Sequence, residues 1–330
     1  MPEALLTYES LGLLVVSAVI GVVIGLTGMG GGALMTPALI LVGIPPTAAV
    51  ANDLVVNAVN KVIGAGVHWR HGKPNLRIAF WLVLGSVPTA YLGAWLVHAV
   101  GADDVQGLLK KAIGATLIVA SSAYFLRAFF EMAGRIRTGD DPNPPVKPLI
   151  TLLVGVVGGL MVGITSVGSG TVIMMCIMLL YPTLAALRLV GTDLVQAVPL
   201  VIAAAIGHVM VTGVDWDLLV PLLVGGAVGT FFGSKFAGRV PQGLIRRGIT
   251  IVLAVTASAM LGASPALIGG IALVLLTAGP LVWRMLVRRY SVHLDAPAPA
   301  PAAPQPAAPH PPESGSPLTP AIRYSLTPGI

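Results

Sequence analysis

The chain has 330 residues, of which 55% are hydrophobic and only 10% charged, against roughly 25% charged in a soluble domain. Charge is absent from Ser10 to Asn52, Pro148 to Leu187, Leu194 to Val214 and Gly248 to Trp283. Since a membrane crossing needs about 20 mainly apolar residues, this distribution excludes an ordinary soluble protein and predicts an all-α polytopic membrane protein in contact with lipid. The net charge of +6 comes from Lys and Arg flanking apolar runs, as in cytoplasmic loops, and not from a nucleic-acid-binding helix.

In chain order, apolar segments are predicted over 11–28, 33–43, 46–69, 76–100 and 107–130, then 148–166, 170–181, 183–211, 217–238, 244–262 and 265–285. Glu3 and Glu9 precede the first run without a signal-peptide pattern, so that run is expected to be retained as a helix. At about 1.5 Å per residue, 33–43 and 170–181 are too short to cross a ~30 Å core. The implied organisation is a first transmembrane repeat over 1–130, a cytoplasmic linker over 131–147, a second repeat over 148–262 and a final helix over 263–290. A Pro/Ala-rich tail over 291–330 has a composition that cannot build a packed core and is expected to be disordered. Cys176 stands alone in an apolar stretch, which excludes an internal disulfide or thiolate cluster. No residue set suggests a metal or a cofactor.

The two halves echo each other. Gly25-Leu26-Thr27-Gly28-Met29-Gly30-Gly31-Gly32 matches Gly163-Ile164-Thr165-Ser166-Val167-Gly168-Ser169-Gly170. Beyond a short insertion near Tyr181-Pro182, Asp53 matches Asp193, His68 matches His208, Gly85 matches Gly225 and Gly93 matches Gly233. Ionisable residues are rare within spans, so Asp and His recurring at one spacing predict a duplicated unit. Arg70, Lys73 and Arg77, and then Arg135, Arg137 and Lys147, mark inside loops of the first half, while Asp103 and Asp104 mark an outside one. In the second half the bias reverses: Asp215 and Asp217 occupy the loop equivalent to 70–77, and Arg239, Arg246 and Arg247 the loop after it. This predicts two inverted-topology repeats with glycine-broken half-helices, an outside N-terminus and an inside C-terminus, although Lys110 and Lys111 oppose the trend. Either seven full spans with two re-entrant hairpins or about eleven shorter crossings satisfy the pattern.

Backbone can leave the helix within a bilayer only where it is buried or lines a cavity. Gly28, Gly30, Gly31 and Gly32, with Gly168 and Gly170 in the second half, are candidate substrate-binding breaks. The half-helices that follow would offer free N–H groups and a positive dipole end to an anion. Thr27, Thr165, Ser166, Ser169 and Thr171 would add hydroxyls. Close helix packing through small residues is the other reading of these runs. On 52–68, positions 53, 57, 60, 64 and 68 share a helical face with Lys61 beside it. Asn57 and Lys61 are candidate substrate contacts, with Lys61 either the cation facing an anion or the internal partner of Asp53. Its counterpart is Val201, so the site would be asymmetric. Asp53, Asp193, His68 and His208 are candidates for proton or ion coupling, and both histidines also read as structural residues at the interface.

The run from Gly25 to Gly32, followed by Pro37, Gly43 and Pro45, together with its echo from Gly163 to Gly170, resembles the TauE/SafE (sulfite exporter) family of membrane transporters. The likeness extends over 11–285. It implies a multi-pass protein of the cell (inner) membrane that moves small sulfur-containing anions such as sulfite, sulfonate, sulfoacetate or thiosulfate without ATP hydrolysis. Ser166 and Ser169 stand where the first half has Gly28 and Gly31, which points to unequal roles for the halves. A non-transporting membrane scaffold is the alternative, and an intramembrane serine hydrolase using Ser169 with His208 is a third reading; the resemblance itself implies no enzyme.

Overall fold

The computed structural model describes residues 8–27, 32–72, 74–99, 102–132, 141, 143–236 and 242–291. The Pro/Ala-rich tail and Gly28, Gly30 and Gly31 lie outside these. The described residues form eleven helices: α1 (Tyr8–Thr27), α2 (Gly32–Leu41), α3 (Pro46–Gly72), α4 (Leu76–Ala99), α5 (Ala102–Met132), α6 (Pro148–Thr165), α7 (Val172–Leu180), α8 (Ala186–Thr212), α9 (Trp216–Phe236), α10 (Gln242–Met260) and α11 (Pro265–Ser291). Sequence punctuation sets several boundaries. α3, α6 and α11 open on a proline, whose fixed φ and missing N–H suit the first helical turn. α2 and α10 close on Gly43 and Gly262 with φ of 98° and 82°, a conformation that glycine adopts without Cβ strain.

Five helices are long and apolar enough to cross a membrane: Leu76–Ala99, Val105–Leu126, Pro148–Thr165, Arg188–Thr212 and Trp216–Phe236. Large apolar side chains such as Val19, Leu149, Val157, Met210 and Phe231 point outward. This is the inside-out arrangement of a multi-pass membrane protein. The short α2 and α7 are instead buried at the centre, where Met35, Leu39, Ile173 and Ile177 pack with Leu54 of α3 and Leu200 of α8.

Two close pairs frame that centre: α1 lies along α9, and α4 along α6, while α3 crosses α8 and α5 crosses α10. Each close pair is a glycine seam. A Cβ at Gly25 would strike the backbone of Thr230, and one at Gly229 or Gly233 the backbone of Ala18 or Val22. Across the second seam, Gly155, Gly159 and Gly163 meet the backbone of Leu82, Ser86 and Ala90. Glycines four residues apart bring helix backbones together where no hydrophobic force between helices operates. Gly25 and Gly163, at the head of the two motifs, thus serve packing. So do Gly85 and Gly93, which approach Leu152 and Leu160.

The loops sort to two ends. At one end the Asn75 N–H donates to Thr192 Oγ1 (2.8 Å) and its side-chain amide to Asn143 Oδ1 (3.5 Å). The Lys147 N–H donates to Tyr181 Oη (2.9 Å) and the Asp141 N–H to the Thr183 carbonyl (3.1 Å). At the other end Gln106 Nε2 donates to Thr47 Oγ1 (3.0 Å), and the rings of His98 and His208 meet edge to face at 5.2 Å. α4 and α8 therefore run in the same direction, starting near Asn75 and Thr192 and ending near the two histidines.

Candidate functional site

α3 and α8 carry buried polar residues into the centre from opposite sides. On α3, Asp53, Asn57 and Lys61 follow at four-residue steps, which stacks them on one face, and each is buried with 4% exposure or less. Asn60 is half-buried, so the inward stripe is 53–57–61 and not the 53–57–60 stripe that spacing alone suggested. The side chains of Gly64 and His68 lie outside the described ones.

Three residues donate to the Asp53 carboxylate, Thr36 through its backbone as well as its hydroxyl. Thr36 Oγ1 on α2 and Ser166 Oγ (2.8 Å), just beyond α6, both donate to Oδ2, and Asn57 Nδ2 donates to Oδ1 (3.0 Å). Ser166 has φ 61° and ψ −7° and is the one non-glycine residue with positive φ among the described residues. Gly32, at the first turn of α2, sits against it: a Cβ there would collide with the Ser166 carbonyl and come within 3.1 Å of Asn57 Nδ2. Residues of both halves thus meet around one carboxylate.

Lys61 is not the partner of Asp53. Its Nζ is buried and has no hydrogen-bond partner among the described residues, and the charge acting on it is the Asp193 carboxylate of α8. Asp193 Oδ1 accepts from Gln196 Nε2 (3.1 Å), whose own amide oxygen is left unbonded. A buried ammonium without a hydrogen bond is costly, because nothing replaces its lost hydration.

The remaining candidates separate from this centre. The Thr165 hydroxyl donates to the Met161 carbonyl (2.7 Å) and accepts from the Val167 N–H (3.2 Å), closing the turn locally. Ser169 is buried in the same turn. The N–H groups expected to be free beyond Gly170 are engaged: those of Thr171, Val172 and Ile173 all lie within 3.3 Å of the Gly168 carbonyl. Gly168, at φ 120°, turns that carbonyl inward. Gly170 and Thr171 instead line a small cavity against Ala123 and Tyr124 of α5, where Thr171 Oγ1 has no partner. The side chain of Thr27 lies outside the described ones.

His208 is fully buried. Its Nε2 lies 2.7 Å from the Gly163 carbonyl, one of the orphan acceptors at the end of α6. Its Nδ1 has no partner, so neither ring nitrogen reaches Ser169 and the serine–histidine pair of a hydrolase does not form. Sequence reasoning missed Thr36 and His98. Thr36 is a lone hydroxyl before Pro37 in an apolar segment, and nothing in the linear pattern signals its contact with Asp53.

The family model described as sulfite exporter TauE/SafE matches residues 13–260. The chain is 34% identical over 232 residues to the probable membrane transporter protein YjnA of Bacillus subtilis, covering 70% of this chain and 91% of that protein. It is 25% identical over 248 residues to the probable membrane transporter protein YdhB of the same organism, covering 74% and 96%. It is also 29% identical over 167 residues to the probable membrane transporter protein MJ0441 of Methanocaldococcus jannaschii, covering 49% and 58%. No solved structure matches the chain.

Proposed function

The chain belongs to the sulfite exporter TauE/SafE family, and from that premise we propose that it is a secondary transporter or facilitator of small sulfur-containing anions, such as sulfite or a sulfonate, across the cell membrane. The observation that carries the anion reading is Lys61, a buried cation without a hydrogen-bond partner on the same helical face as Asn57. A buried ammonium is tolerated where a counter-ion visits it. The neutral donors Asn57, Thr36 and Ser166 lie on the same side and orient an oxyanion without adding fixed charge.

The same reading takes the fold as two inverted repeats, α1–α5 and α6–α10. In its support, exchanging the halves converts the α1–α9 pair into α6–α4 and maps α3–α8 and α5–α10 onto themselves. The loop after α3 lies at the start of α8, whereas the loop after α8 lies at the far end beside His98, as inversion requires. α6 and α7 form a hairpin that begins and ends at one face. At nine residues α7 is only about 14 Å long, which favours a re-entrant hairpin over a crossing. Asp193, beside Lys61, is the candidate for coupling anion movement to a proton or cation.

The scaffold alternative leaves the buried Lys61, which lacks a hydrogen bond, and the Asp53 cluster as cost without function. Flux of labelled sulfite, thiosulfate and small sulfonates into proteoliposomes decides between them. Saturable uptake of at least one supports the transporter, and no uptake of any of them removes the substrate class.

A further inference from the structure

Asp53 poses a problem for an anion pathway, because it puts a fixed negative charge where an anion would pass and takes up the donors an oxyanion needs. Those donors come from three places in the chain and from both halves: Thr36 on α2, Asn57 on α3 and Ser166 beyond α6. All are neutral, and together they satisfy both oxygens of a planar group with the shape of an oxyanion. The cation on the same face, Lys61, is one turn beyond Asn57, about 6 Å further along α3, and has no hydrogen bond.

Two features show that this arrangement is built at a cost. Ser166 holds a left-handed backbone at the position matched by Gly28 in the other half, which strains any residue with a Cβ by about 1 kcal/mol or more; its hydroxyl is what glycine would lack. Gly32 has no room for a side chain, since a Cβ would meet the Ser166 carbonyl and crowd the Asn57 amide. Around the matched Asp193, the counterparts of Thr36 and Asn57 are Met174 and Ala197.

We infer that Thr36, Asn57 and Ser166 form an oxyanion cradle, and that the Asp53 carboxylate occupies it as a tethered stand-in for the transported anion. The substrate displaces Asp53 from the cradle, and a sulfite or sulfonate repeats the two-oxygen contact. Asp53 is then a built-in competitor that holds the two halves together, through Ser166, until an anion arrives. The inference deepens the transporter reading and rests on it for the identity of the natural ligand, but the cradle itself is tested with simpler anions.

The experiment uses the full chain in lipid nanodiscs and measures binding of formate and sulfite by calorimetry. Asp53→Ala removes the tethered carboxylate and leaves a space that formate fits. Asp53→Asn keeps the shape, removes the charge and guards against misfolding of the alanine variant. Both are expected to bind formate and sulfite about tenfold or more tightly than the parent, the worth of one charge-assisted hydrogen bond. Adding Thr36→Val and Ser166→Ala should abolish the gain. No gain in either variant, or a gain that survives loss of the two hydroxyls, overturns the cradle. Formate binding as expected in a chain that transports no sulfur anion would keep the cradle and remove the sulfur-anion reading. Sulfite flux in the parent without any gain in the variants would do the reverse.

Discussion

At the scale of single residues, the centre is organised by groups whose value lies in what faces them. Ser166 separates two effects. Ser166→Ala loses the hydroxyl bond to Asp53 and keeps the left-handed strain, whereas Ser166→Gly loses the bond and relieves the strain. Glycine should therefore be the less destabilised of the two by about 1 kcal/mol, measured by reversible unfolding in mixed micelles. Equal losses would remove the role of strain at this position. The inward face of Asp53 and Asn57 was legible in the sequence from their four-residue step, but spacing continued it through Asn60 and put Lys61 beside it, whereas Lys61 is the buried one. The partners were not legible. Whether Lys61 meets Asp53 or Asp193, and whether Thr36 reaches Asp53, depends on how α2, α3 and α8 pack, and spacing along one segment does not encode that. The burial of His208 against the Gly163 carbonyl at the end of α6 was likewise not encoded in its position along the chain.

At the scale of elements, the eleven helices of the described residues appear where apolar runs predicted them, and α2 and α7 are as short as their runs. The glycines divide into two populations that sequence alone could not separate. Those of the α1–α9 and α4–α6 seams abut backbone, whereas Gly269 and Gly270 on α11 face open space. Gly159→Leu should separate α4 from α6 and abolish the monodisperse folded peak in size-exclusion chromatography. Gly269→Ala should leave folding intact and stabilise its helix by up to about 1 kcal/mol. A Gly159→Leu protein that elutes and transports normally would contradict the seam. The expectation of free N–H groups after Gly170 failed on a local detail, the Gly168 carbonyl turned toward them. The start of α7 therefore has these N–H groups engaged, and the proposed cradle does not use them.

At the scale of the molecule, the loops that charge bias assigned to the inside touch one another, as Asn75 and Asn143 do, and Thr47 meets Gln106 at the opposite end. In a background with Cys176 replaced by serine, Asn143→Cys should react with a membrane-impermeant maleimide only from the cytoplasmic side, and Gln106→Cys only from outside. Labelling of both from one side would reject the topology. On the proposed function, an anion crosses this protein through the centre where α3 packs against α2 and α8. The measurement that tests it most directly is saturable sulfite flux in proteoliposomes carrying Lys61→Met or Lys61→Arg. The methionine variant, which keeps the volume but loses the charge, should reduce maximal flux by about tenfold or more, while the arginine variant retains part of it. Wild-type flux in Lys61→Met would contradict a path past this residue.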